Sequence, residues 1–128
     1  MKVANTALSG SGLLSYGPKL EARIVLSDNL VEYYRQLIPP SIKPNGSRYA
    51  PHLTVVRLNI EFPLNMEVWG KYAEEIVQFE YEPTLLFEEK YVYLKVCSDR
   101  IGEIREELGL TQFRIGFDCY HLTVGNYK

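Results

Sequence analysis

Residues 120–128 read YHLTVGNYK, and residues 51–57 read PHLTVVR. The chain has only two histidines, and each opens the same tetrapeptide: His52-Leu53-Thr54-Val55 and His121-Leu122-Thr123-Val124. How these two stretches fold decides the architecture. Polar and apolar residues alternate through both, which is the period of a half-buried strand. In a strand, residues i and i+2 share a face. His52 and Thr54 therefore point one way, as do His121 and Thr123, while Leu53, Val55, Leu122 and Val124 point into a core. The same parity turns Arg57 away from His52 unless a bulge intervenes.

The segments upstream of the two tetrapeptides also match. "LEARIVLS" (20–27) alternates like a strand, with Leu20, Ala22, Ile24 and Leu26 on one face. "SDNLVEYYRQLI" (27–38) has helical spacing, a Ser or Asp N-cap and a stop at Pro39-Pro40. "PPSIKPNGSRYAP" (39–51) is a turn-rich loop, and "HLTVVRLNI" (52–60) is a strand. In the second half, "EYEPTLLFEEKYVYLKV" (80–96) reads as a strand, a tight Glu-Glu-Lys turn and a strand. "SDRIGEIREELGL" (98–110) is a helix that Ser98 can cap and Gly109 can end. "FRIGFDCYHLTVGNY" (113–127) closes the chain as strand material. Each half thus runs strand, "SD" cap, helix, loop, HLTV. The offset is 71 residues between the serines (27 to 98) and 69 between the histidines (52 to 121). Near-equal offsets indicate an internal duplication. A short helix is expected near 66–77, and residues 1–18 read as a loose N-terminal arm punctuated by Gly, Ser and Pro.

The expected organisation is one domain, 1–128, of α+β class. Residues 20–58 and 91–127 form two pseudo-symmetric lobes, each an antiparallel sheet flanked by a helix, around a central cleft. At 128 residues the chain is long enough to bury a core. Its 46% hydrophobic and 23% charged residues are an ordinary globular balance. No apolar run approaches the roughly 18 residues of a membrane span, and the N-terminus lacks a signal-peptide core. The reading is a cytoplasmic protein with no membrane partner. Net charge is −2 and the sequence pI is near 5.7. Proteins that track a long polyanion are usually basic, so a large nucleic-acid footprint is not expected. A small anionic ligand in a local basic pocket is compatible with this charge. Cys97 and Cys119 form no CxxC pair and read as reduced, buried thiols.

Two imidazoles and two hydroxyls on facing strands suit phosphate-ester chemistry. Histidine titrates near neutrality, at about 6.5 in model peptides. One ring can accept a proton from water or a ribose 2′-hydroxyl while the other protonates the leaving oxygen. Thr54 and Thr123 would hold non-bridging phosphate oxygens. A single HxT means little. With five Thr in the chain, two matched HxT motifs arise by chance less than about once in 500. Zn²⁺ chemistry is the competing reading, with Cys119, His121 and His52 as ligands. Catalytic zinc usually takes three protein ligands, and here a Thr stands beside each His where a carboxylate would be needed. No metal and no cofactor are assigned.

This pattern resembles the 2H phosphoesterase superfamily, whose members carry two H-x-[ST] motifs, each on a strand of a duplicated α+β lobe. The superfamily includes LigT-like RNA 2′,3′-cyclic phosphodiesterases, plant cyclic phosphodiesterases and viral enzymes that destroy 2′-5′ oligoadenylates. It also includes phage anti-CBASS nucleases, which destroy cyclic oligonucleotide signals. The resemblance covers roughly residues 20–127, and its specific part is His52, Leu53 and Thr54 with His121, Leu122 and Thr123. It implies that both histidines are general acid/base groups and both threonines bind phosphate. The LigT-like second motif usually has a basic residue three positions after its Thr, where this chain has Asn126. Here the HxTxxR form falls at the first motif and ends in Arg57. That departure favours a compact enzyme for cyclic oligonucleotides over one for RNA ends; a 2′-5′ oligoadenylate or RNA-end-processing phosphodiesterase is the alternative. One rival class is a module that binds and sequesters the nucleotide without cutting it; another is a non-nucleotide structural protein in which the repeat serves packing only.

Further substrate contacts are expected from aromatic and basic residues, since stacking on a base is worth about 1–3 kcal/mol. Tyr127 shares parity with His121 and Thr123. Tyr16 lies in the arm, and Arg48 and Tyr49 precede the first motif. Arg23 and Tyr93 complete the set. Tyr91, Tyr93 and Lys95 share one strand face, and the sequence does not say which way it looks.

Overall fold

The computed structural model describes residues 7–26, 29–39, 41, 51–113 and 119–126. In chain order the elements are β1 (Leu8–Tyr16), β2 (Ala22–Val25), α1 (Leu30–Gln36), β3 (His52–Val56), β4 (Ile76–Tyr81), β5 (Leu86–Phe87), β6 (Tyr91–Cys97), α2 (Asp99–Glu107) and β7 (Tyr120–Asn126). The class is α+β, as expected. All the strands belong to one sheet, and every pairing in it is antiparallel. The order runs β3-β2-β1-β4-β6, where β6 carries β4 and β5 along one edge and β7 along the other. β3 also comes close to β7, so the sheet nearly closes on itself. No helix among the described residues is long and apolar enough to cross a membrane.

One core holds both halves. Leu53, Val55, Leu122 and Val124 are fully buried, as the alternation requires, together with Ala22, Ile24, Leu94 and Val96 of the neighbouring strands. Val31 and Tyr34 of α1 and Ile101 and Ile104 of α2 pack into the same cluster. Both helices therefore cover one face of the sheet. The histidines and threonines of the two HLTV stretches stand on the opposite face.

The N-terminal segment departs from the sequence reading. Residues expected to be a loose arm instead form β1, a central strand bonded to β2 on one side and β4 on the other. Glycines fit there because the sheet is crowded. A Cβ on Gly10 would stand 2.6 Å from the Phe79 ring, and one on Gly12 would stand 2.6 Å from the Val25 carbonyl oxygen. The expected helix over 66–77 is only a 3₁₀ turn, Met66–Val68. Positive φ at Gly70 and Glu74 breaks any helix there, and β4 has begun by Ile76. At α1 the capping position is Asn29, without a side-chain cap bond, while Ser27 and Asp28 lie outside the described residues.

The ends of α2 follow the sequence closely. Ser98 accepts from the Ile101 amide and donates to the Gln78 carbonyl at 2.8 Å. At the other end Gly109 sits at φ +83. Its amide donates to the Glu106 carbonyl at 3.0 Å and the Leu110 amide to the Arg105 carbonyl at 2.9 Å. This is the paired bonding of a Schellman cap. An alanine Cβ at 109 would stand 2.9 Å from the Leu64 Cβ. Gly109→Ala should therefore destabilise the protein by about 1–2 kcal/mol, read as a lower urea midpoint with an unchanged slope.

Candidate active site

Strand pairing determines which residues surround the two motifs. On β2, Val25 lies opposite His52 and Arg23 opposite Thr54. On β6, Lys95 lies opposite His121 and Tyr93 opposite Thr123. Directly opposed residues share a face. The face away from the helices therefore presents His52, Thr54 and Arg23 from one half and His121, Thr123, Tyr93 and Lys95 from the other. Thr54 is exposed; His52, His121 and Thr123 are half-buried. β3 and β7 approach each other, so the strands that carry the two HxT pairs are neighbours.

The two motifs share a further feature that the sequence does not announce. Arg23 pairs with Thr54 but Ala22 pairs with Val56, so Val55 is an extra residue, a bulge. Tyr93 pairs with Thr123 but Val92 pairs with Gly125, so Val124 is the corresponding extra residue of the second motif. A bulge takes its residue out of the ladder, and in both motifs an arginine takes up the carbonyl. Arg105 of α2 donates from Nη1 to the Val55 oxygen at 2.6 Å. Arg35 of α1 donates from Nε to the Val124 oxygen at 3.0 Å. Each helix thus braces the other half's HLTV strand, and the arginines repeat at 70 residues (35 to 105). The bulge repeats at the offset of the histidines, 69 residues (55 to 124), and the brace at one residue more. Arg105 is also bound bidentately by Glu61, at 2.9 and 2.5 Å, and donates to the Thr111 carbonyl at 2.8 Å.

The bulge corrects one inference about Arg57. Val55 and Val56 both face the core, so counting parity from His52 no longer places Arg57 on the far side. Its amide is held by Glu61 Oε1 at 3.2 Å.

Around His121 the site is aromatic. The Tyr93 ring stacks on the imidazole, with centroids 3.9 Å apart and planes 18° apart. The Tyr91 hydroxyl is 2.9 Å from His121 Nδ1. Tyr93 is one of the contacts expected from the sequence, and Tyr91 shares its strand face. What settles that face is the register of β6 against β7, which composition does not encode.

Arg23 falls beside Thr54, where it also forms an ion pair with Glu21 at 3.1 Å. Tyr16 does not join the site. It has the parity of Leu14, opposes the buried Ala22 and packs edge-on against Trp69 at 4.9 Å. Burial pushes its hydroxyl above the usual tyrosine range. Arg48, Tyr49 and Tyr127 lie outside the described residues. Of the two thiols Cys119 is buried, but Cys97 is only half-buried and lies opposite Glu80. Partial burial raises the Cys97 thiol pKa, which disfavours the nucleophilic thiolate. Among the described residues, no three of His, Cys, Asp and Glu gather as a metal-binding group.

Comparison of the chain with protein-family models, with curated proteins and with solved structures finds no match.

Proposed function

We propose that this protein is a phosphodiesterase of the 2H phosphoesterase type that opens cyclic nucleotide or cyclic oligonucleotide phosphodiesters. The supporting observation is the repeated presentation of one imidazole and one hydroxyl from two braced strands that are neighbours. One histidine removes a proton from the attacking water or ribose hydroxyl as its oxygen bonds to phosphorus. The other gives its proton to the leaving oxygen as that P–O bond breaks. The histidines end with their protonation states exchanged. Thr54 and Thr123 donate to the non-bridging oxygens. Arg23, opposite Thr54, and Lys95, opposite His121, add positive charge on the same face. Both proton transfers are supplied by the chain, so the reading gives no step to a metal. Cyclic oligonucleotide signals of anti-phage defence, met in the cytoplasm, are the substrate class we favour.

The test is a panel of 2′,3′-cyclic nucleotides, cyclic di- and trinucleotides and 2′-5′ oligoadenylate, incubated with EDTA present. Linear product from a cyclic oligonucleotide is expected. The rate should be bell-shaped in pH, because one ring must be protonated and the other not. A flat profile from about pH 5 to 8 would count against paired histidines. Arrest by EDTA would refute the metal-free mechanism. Tight binding without turnover would instead identify a sequestering module.

A further inference from the structure

The two histidines share a motif but not an environment. His52 faces Val25 across β2. His121 faces Lys95 across β6, lies against the Tyr93 ring and has its Nδ1 at the Tyr91 hydroxyl. An imidazole turns about a broad, roughly two-fold torsion, so packing alone leaves its two nitrogens interchangeable. A stack restrains the ring plane. A hydrogen bond at one nitrogen decides which edge faces which way and where the proton sits.

We propose that Tyr91 is a positioning residue for His121: its hydroxyl accepts from Nδ1–H, so proton exchange with the substrate runs through Nε2. The placement rests on three features of the fold. Tyr91 and Tyr93 are i and i+2 on β6 and so reach the same face. Their rings lie 5.4 Å apart, which puts Tyr91 at the edge of the ring that Tyr93 covers. The bulge at Val124 falls where β7 passes from Thr123 to Gly125, between the rungs to Tyr93 and Val92. Bulges re-aim neighbouring side chains. Nδ1–H is present both in the neutral ring that accepts at Nε2 and in the doubly protonated ring that donates from it. The Tyr91 bond therefore survives the catalytic cycle, and the ring need not turn between turnovers.

As a catalytic statement this rests on the acid–base reading of the HxT pair; the tautomer does not. Tyr91→Phe keeps the ring and removes only the hydroxyl. Long-range ¹⁵N–¹H NMR of the free protein should show His121 as the Nδ1–H tautomer in the wild type and a shift towards the Nε2–H form in Tyr91→Phe. With a turned-over substrate, kcat should fall roughly 10- to 100-fold at nearly constant KM. An Nε2–H wild type, or a tautomer that Tyr91→Phe leaves unchanged, overturns the proposal while histidine-dependent turnover would still stand. If the tautomer shifts but no nucleotide is cleaved by the wild type, Tyr91 positions His121 as proposed and the phosphodiesterase reading fails.

Discussion

His52→Ala and His121→Ala will each reduce cyclic-phosphodiester turnover by about 10²- to 10⁴-fold, the contribution of one positioned proton-transfer group. The double variant should be little worse than the weaker single one. In the proposed mechanism acid and base act in one concerted exchange, so losing either disables both, and their effects are not additive. Fold loss would not explain such a result. Both imidazoles stand on the face away from the helices, while the residues that knit the two strands into the core, Leu53, Val55, Leu122 and Val124, are untouched. His121→Ala also removes the partner of Tyr91 and Tyr93, so its melting temperature should drop. Initial rates of linear-product release, with circular dichroism melts of the same samples, provide the check. A fully active His52→Ala would remove one of the two proton carriers and with it the paired mechanism.

The facing of the HLTV residues was more legible in the sequence than their support. Alternation in HLTV requires only the two-residue period, so the inward Leu and Val and the outward His and Thr could be read directly. The ends of α2 were legible for a similar reason, since Ser98 and Gly109 act on backbone groups within a few residues of themselves. β1 was not. Its Ser-Gly-Ser-Gly run is poor strand material by propensity, and it is a strand because β2 and β4 bond both its edges. Tertiary pairing outweighs local preference there, and small residues are what the neighbouring Phe79 ring and Val25 carbonyl leave room for. The bulges at Val55 and Val124 carry no compositional mark at all. They follow from register, as does the meeting of Tyr91 with His121. The parity argument for Arg57 carried the exception of a bulge, and that exception applies here: the strand contains one extra residue.

Arg105→Met will lower the unfolding free energy by about 3–5 kcal/mol, the usual result of removing one partner from a buried ion pair. Arg105 is 2% exposed. Its guanidinium holds the Glu61 carboxylate, the Val55 carbonyl and the Thr111 carbonyl together. Methionine fills part of the space but leaves Glu61 charged and largely buried, and leaves the bulge carbonyl without its donor. Arg35→Met, at the equivalent brace of the other half, should cost only about 1 kcal/mol. Arg35 is half-buried and makes a single bond to Val124, so water can replace it. The two braces are thus equivalent in position and unequal in energy. Arg105→Met combined with Glu61→Leu should recover much of the loss, because the cost lies in the stranded charge and the two effects are coupled. Urea unfolding of the three variants tests this, with the slope compared to confirm two-state behaviour. An Arg105→Met protein as stable as wild type, or a double variant that loses the sum of its parts, would show that the pair does not hold the strand. Val55 follows Thr54 directly, so loosening this brace should also lower turnover in the fraction that stays folded, whereas Arg35→Met acts on the strand of His121. Comparing the two at matched folded fraction tests whether each motif depends on the helix of the opposite half.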